Sequence, residues 1–204
     1  MTNTNFCVSM SLKELILVNK KTVALTTEQY KEIISTMRKG FSGFRPNERV
    51  ATALMLEANL GLRISDIVKL KLADIVKDGE RLRLDITEQK TNKKRFFTVP
   101  QEIYNFLKGY CYDNGIAENE VIFKLTTTAI QKQLRIVCDY LGYEKISTHS
   151  FRKFFATQIY NKSDYNIALV QTLLQHSSAA VTQKYIGIEQ KQIEKALAEH
   201  ICLI

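Results

Sequence analysis

Four short motifs, spread along a chain of 204 residues, place the tightest demand on how it can fold. Gly61-Leu62-Arg63-Ile64-Ser65-Asp66 sets an arginine in a short polar break. His149-Ser150-Phe151-Arg152 carries a second arginine three residues after a histidine. Leu173-Leu174-Gln175-His176-Ser177 ends an apolar run on another histidine, and Tyr185 follows nine residues later. A fold that gathers these segments would hold what phosphoryl transfer to a protein hydroxyl needs. Arginines meet phosphate oxygens with planar, permanently charged forks. Histidine moves or holds a proton near neutral pH. Tyrosine can attack phosphorus and keep it covalently.

The periodicity places these motifs on a mostly helical frame. Thr26 or Thr27 reads as an N-cap, with Glu28 in the first turn, opening a helix through Met37. Residues 40–47 form a loop, and Pro46 leads into a second helix from Glu48 to Asn59, with Val50, Leu54 and Ala58 on one face. Gly61 stops that helix, and Ser65 is placed to cap a short one ending near Leu70. From Ile75 to Pro100 the period drops to two. Leu82, Leu84 and Ile86 alternate with Arg83 and Asp85 in a half-buried strand, Glu88 to Lys94 is a polar turn, and Phe96 to Val99 is the returning strand. Further helices are expected from Pro100 to Tyr112, Thr128 to Leu141, Ser150 to Asn161, Asn166 to Leu174, and Glu189 to the end. The expected class is therefore mainly α with a small antiparallel β-sheet (α+β).

Composition narrows the setting. Apolar residues make up 45% and charged residues 25%, as in an ordinary globular domain. No apolar run reaches the length of a membrane span, and the N-terminus lacks the pattern of a secretory signal, so a cytoplasmic protein is expected. Cys7, Cys111, Cys138 and Cys202 are scattered without a CxxC pair, so neither a zinc site nor a disulfide framework is indicated. Lysine and arginine number 29 against 21 acids, a net charge of +8 that suits a polyanion partner without requiring one.

Taken together, GLRISD around Arg63, a lysine in the turn between two strands, HSFR, LLQHSS and the terminal tyrosine resemble the catalytic domain of the tyrosine recombinases, the phage-integrase family. The resemblance runs from about Leu25 to about Lys195. It implies the recombinase catalytic-domain fold, with Arg63 and Arg152 clamping the scissile phosphate and His149 handling the nucleophile's proton. His176 is implied as a hydrogen-bond partner of a non-bridging oxygen, and Tyr185 as the nucleophile. Lys90, with Lys93 as the alternative, is implied as general acid to the departing 5′ oxygen. Two positions depart from the family's habit: Lys153 stands where histidine is frequent, and Gln175 where glycine commonly precedes the histidine.

Each residue also has a plainer reading. Arg63 could be a surface arginine, and Asp66 could either orient it or balance a helix N-terminus. His149 and Arg152, at i and i+3, could be a core histidine and an ion-paired arginine. His176 could cap or pack. A free tyrosine ionises near pH 10, so Tyr185 needs a proton acceptor or a strongly cationic pocket, which two arginines would supply.

The resemblance implies DNA strand breaking and rejoining through a 3′-phosphotyrosine, with no cofactor or metal. Double-stranded DNA would be the partner, bound by a homo-oligomer expected to reach a tetrameric synapse in a bacterial cell, phage or mobile element. A type IB topoisomerase or a non-catalytic DNA-binding regulator would be the alternatives. Residues 1–24 read as a leader or linker, 25–187 as the catalytic domain, and 188–204 as a C-terminal helix that could dock in trans. The leader is too short to be the DNA-clamping domain many relatives carry, which fits a minimal recombinase or a fragment of a longer integrase.

Overall fold

The computed structural model describes residues 22–187, so the expected docking helix at 188–204 and most of the expected leader at 1–24 lie outside the described residues. Thr22 to Ala24 run beside the domain, and the Val23 amide donates to the Lys145 carbonyl at 3.2 Å.

The first helix, α1 (Thr27–Lys39), begins at Thr26, whose hydroxyl accepts from the Gln29 amide at 3.1 Å while the Gln29 side chain accepts from the Thr26 amide at 3.0 Å. This reciprocal cap satisfies two amides that the first turn leaves without helical partners. Asn47 caps α2 (Glu48–Leu60) with its side-chain oxygen alone, which accepts from the Val50 amide at 3.1 Å. Most of α2 is buried, from Val50 through Leu60, because it runs between α1 and the later helix that carries Arg152.

Gly61 ends α2 with a left-handed φ of 59°, and the next two residues leave the helix extended. A Cβ built on Gly61 would stand 2.4 Å from Cδ1 of Phe155. Both strain and overlap therefore oppose any side chain there. Gly61→Ala should lose about 2–4 kcal/mol of stability, from the left-handed penalty plus overpacking, measured as a lowered urea midpoint.

Here the chain departs from expectation. The short helix α3 (Ile64–Ile67) has Arg63, not Ser65, at its N-cap position. The chain is already extended at Arg63 on leaving Gly61, so the helix starts immediately and Ser65 falls inside it. A 3₁₀ turn (Leu72–Asp74) leads to a three-stranded antiparallel sheet of β1 (Ile75–Asp78), β2 (Arg81–Thr87) and β3 (Lys94–Val99), ordered β1-β2-β3. Leu84 faces Ile75 on one side and Phe97 on the other. The sequence showed β2 and β3 but not β1, of which only Ile75 is buried. One buried residue gives no alternation to read.

The remaining elements are helical: α4 (Gln101–Asp113), α5 (Thr127–Leu141), α6 (Thr148–Lys162), α7 (Ile167–Leu174) and α8 (Ala179–Ile186). The α6 helix starts two residues before the expected Ser150, capped at Ser147. Ser178 does cap, but the helix it opens, α8, was not among those expected. The main core joins α1, α2, α4, α5 and the inner side of the sheet. A smaller cluster of Ala156, Tyr160, Val170 and Leu174 holds α7 and α8, with Tyr185 and Ile186 packed on it. Among the described residues, no helix is long and apolar enough to cross a membrane.

Candidate active site

The centre of the site is a carboxylate that sequence reading assigned to a solvated turn. Glu88, just past the end of β2, is fully buried. Its Oε2 pairs with Nη1 of Arg63 and accepts from the Thr91 hydroxyl at 2.9 Å. Its Oε1 accepts from Nη1 of Arg95 at 2.8 Å and lies 4.0 Å from Nη1 of Arg152. Burial alone would raise the Glu88 carboxyl. The Thr91 hydroxyl and the Arg95 and Arg63 guanidiniums outweigh it and hold the group below the usual carboxylate range. Asp66, read from sequence either as orienting Arg63 or as balancing a helix N-terminus, makes its hydrogen bond elsewhere: its Oδ1 accepts from the Gln89 amide at 3.0 Å. Asp66 thus fixes the start of the turn, and Glu88 makes the contact with Arg63.

Arg152 projects from the first turns of α6 and is almost wholly buried. Its Nη2 donates to the Leu174 carbonyl at 3.1 Å, while Nη1 has no hydrogen-bond partner in the protein. Burial lowers its pKa to about 10, and Arg63 and Arg95 push the same way, against Tyr185 and Glu88. It stays charged at neutral pH.

His149 lies one helical turn before Arg152 and is exposed. Desolvation of its inner side, then the charges of Arg152, Lys90, Arg63 and Lys153, hold it below the ordinary histidine value. Lys90 itself is exposed on the turn between β2 and β3. The Lys93 carbonyl instead accepts from the Glu88 amide at 2.9 Å and closes the turn.

Gln175 ends α7 with a left-handed φ of 55°, a conformation that glycine adopts at no steric cost. Its Nε2 donates to the Lys94 carbonyl at 2.8 Å, tying this turn to β3. His176 follows, its ring edge-on to Tyr185 with centroids 5.0 Å apart. Nδ1 of His176 lies 3.1 Å from the Thr182 hydroxyl, which is itself 3.2 Å from the Ser178 carbonyl. Thr182 has one proton to give. Donated to Ser178, it leaves Nδ1 protonated and Nε2 an acceptor; donated to His176, it makes Nε2 the donor.

Burial, then Arg152, Arg63 and Arg95, depress His176 to about 4. The ring is therefore neutral at physiological pH. Its folded pKa lies below the unfolded 6.5, so its contribution to stability is present above pH 6.5 and is lost as pH falls toward 4. An NMR titration of the DNA-free protein, with His176→Asn to assign the signal, should place its midpoint about two units below a free histidine. A midpoint near 6.5 would be incompatible with this cationic, desolvated setting.

The Tyr185 hydroxyl is buried and has no well-formed hydrogen bond. Arg152 and Arg63 favour its phenolate, but desolvation outweighs them, and the nearby Glu57 adds to it, raising the pKa to about 12. The arginines were expected to activate this phenol, and in the DNA-free protein burial wins. Lys153, at the departure from the family's histidine, sits 5.4 Å from the Tyr185 ring centroid and donates to the Thr22 carbonyl at 2.5 Å.

Sequence reading missed three buried partners: Glu88, Arg95 and Glu57. Glu57 is fully buried on α2, and burial pushes it well above the usual carboxylate range despite Arg152. Arg95 did carry a signal: with Phe97 and Val99 it shares the inward face of β3 by the period of two. An arginine on that face calls for a buried acid. Among the described residues no group of three His, Cys, Asp or Glu side chains is placed to hold a metal ion.

Guanidiniums on one buried carboxylate, two neutral imidazoles and a tyrosine hydroxyl meet at one place. Residues 23–192 match the model of the phage integrase family. The chain belongs to the phage integrase family. A probable integrase/recombinase of Bacillus subtilis, YoeC, is 36% identical over 155 residues, covering 71% of this chain and 80% of its own length. The fold of this family member is similar to the XerH site-specific recombinase bound to its palindromic difH substrate (TM-score 0.65, 20% identity, 87% of this chain and 53% of XerH). It is also similar to the catalytic domain of bacteriophage HP1 integrase (TM-score 0.61, 16% identity, 88% of this chain and 96% of that domain). The integrase-family chain spans about half the length of several other curated recombinases it matches. The mostly helical architecture with one small antiparallel sheet is thus that of the recombinase catalytic domains.

Proposed function

We propose that this chain is a site-specific DNA recombinase that breaks and rejoins strands through a covalent 3′-phosphotyrosine. The observation that carries the reading is a pair of orphaned buried groups. The Tyr185 hydroxyl and Nη1 of Arg152 are both buried without a well-formed hydrogen bond in the protein, where a buried polar group left unmade costs about 1–3 kcal/mol. A nucleophilic oxygen beside a guanidinium whose Nη1 has no hydrogen-bond acceptor fits a phosphodiester, which would satisfy that nitrogen and receive the attack.

In the forward step the Tyr185 oxygen bonds to phosphorus and the bond from phosphorus to the 5′ oxygen breaks. The phenol proton passes to a neutral imidazole, His149 or His176. The departing oxygen takes a proton from Lys90 and leaves as a 5′-hydroxyl. Arg63 and Arg152 offset the charge that grows on the non-bridging oxygens, each such donor being worth roughly 3 kcal/mol in a desolvated site. Attack by a second 5′-hydroxyl reverses these events on a new strand. The phosphotyrosine conserves the ester bond, so the cycle needs no nucleotide. Exchange between two duplexes breaks four strands in all, which is the argument for four subunits in a synapse on double-stranded DNA. Residues 25–187 are proposed as the catalytic unit, with 1–24 as a leader or linker and 188–204 as the segment that docks in trans.

The test is a duplex nicked close to the scissile phosphate, so that the short 5′ fragment diffuses away and the adduct accumulates. A covalent band on a denaturing gel, formed in chelator and without nucleotide, is the expected result. Loss of the band in chelator would overturn the mechanism. Relaxation of supercoiled DNA without any strand exchange would make the chain a nicking-closing enzyme instead.

A further inference from the structure

We infer that Glu88 is a positioning residue that locks the turn carrying Lys90 to the guanidinium of Arg63, so that phosphate clamp and proton donor are set by one buried carboxylate. The inference rests on the roles proposed above for Arg63 and Lys90. Glu88 touches the two functions through different atoms. Its side chain holds Arg63 on Oε2, and the same oxygen accepts from Thr91, the neighbour of Lys90, at 2.9 Å. Its backbone closes the turn from both ends: the amide donates to the Lys93 carbonyl and the carbonyl accepts from the Asn92 amide, each at 2.9 Å. Lys90 therefore sits inside a loop pinned at the residue that also aims Arg63.

Arg95 makes this arrangement rigid. Its Nη1 holds the other Glu88 oxygen at 2.8 Å, and its Nη2 donates to the Gly61 carbonyl at 3.3 Å, two residues before Arg63. The GLR turn is thus gripped by β3 at Gly61 and by Glu88 at Arg63. Charge supports a position behind the pocket rather than in it. Glu88 is fully buried, whereas the Arg63 side chain keeps 16% exposure, so Arg63 presents its remaining edge outward. Glu88 and the nearby Asp66 face three arginines, which still leaves net positive charge for a phosphate. A carboxylate beneath the clamp fixes its direction without consuming its charge, as second partners do for metal ligands.

A residue that merely supports the fold would lower the active fraction and slow every substrate equally. A residue that places Lys90 would matter less when no general acid is required. The readout is cleavage of ordinary DNA against DNA with sulfur at the bridging 5′ position, whose better leaving group needs no proton. Thr91→Val cuts only the link from turn to carboxylate and should slow ordinary DNA about tenfold while cleaving the sulfur substrate at nearly the wild-type rate. Glu88→Gln disturbs both links and should slow ordinary DNA by about 100-fold or more and the sulfur substrate roughly tenfold. Equal losses on the two substrates, in Thr91→Val and in any folded Glu88→Gln protein, would overturn the inference. If Glu88→Gln fails to fold, Thr91→Val decides alone. Wild-type protein and Lys90→Ala run alongside: no adduct from the wild type, or no rescue of Lys90→Ala by sulfur, would locate the failure in the proposed function.

Discussion

Tyr185→Phe should fold and bind DNA as the unaltered chain does, yet form no covalent adduct. The substitution removes one oxygen and leaves the ring. The edge-on contact with His176 and the packing of α8 on Ala156, Tyr160, Val170 and Leu174 are contacts of the ring and survive. The lost hydroxyl is buried without a well-formed partner, so stability should shift by no more than about 1 kcal/mol, and toward greater stability. The chemistry is another matter. Phenylalanine has no atom that can attack phosphorus, and the Thr182 hydroxyl on α8 is engaged with His176 and the Ser178 carbonyl. A denaturing gel with labelled nicked duplex should show the band vanish while a gel-shift under native conditions is retained. The chain holds nine tyrosines. A covalent band persisting in Tyr185→Phe would assign the nucleophile to another of them.

What the sequence made legible follows the length and regularity of each signal. Helices with a cap and a buried face, such as Thr27–Lys39 behind Thr26, were readable to within two residues at either end. So was the pairing of Leu82 to Ile86 with Phe96 to Val99. Short elements were not: β1 buries only Ile75, and α8 is eight residues behind a serine cap. At the site, the motifs named Arg63, His149, Arg152, His176 and Tyr185 themselves. They were silent about what holds those side chains from behind. Glu88 looked like one more charge in a lysine-rich turn because burial at a strand end depends on which distant arginines converge there. Asp66 was the nearer acid in sequence to Arg63, but the αL turn at Gly61 and the immediate start of α3 direct it to the Gln89 amide instead. Proximity along the chain was a poor guide to the partner, and the inward face of β3 at Arg95 was the better one.

Lys90→Ala should abolish most cleavage of ordinary DNA and little of the cleavage of a substrate with sulfur at the bridging 5′ position. The departing 5′ oxygen is a poor leaving group unless it is protonated as it leaves, a service worth about 10²- to 10⁴-fold in rate. Lys90 is suited to it by place and by chemistry. It is exposed on the turn between β2 and β3, its charge is among those that lower His149, and its flexible stem can follow a moving oxygen. A sulfur leaving group departs as a thiolate without help, so removing the acid should cost it almost nothing. Arg63→Ala provides the contrast. It removes charge stabilisation that both substrates need equally, so neither should be spared. Single-turnover rates on the two substrates separate the roles. Rescue in Lys93→Ala but not Lys90→Ala would move the general acid three residues along the turn, to a residue whose carbonyl already closes that turn onto Glu88. Rescue in neither would place the proton donor outside the hairpin, and His149, one helical turn from Arg152 and on the open side of the pocket, would be the next group to replace.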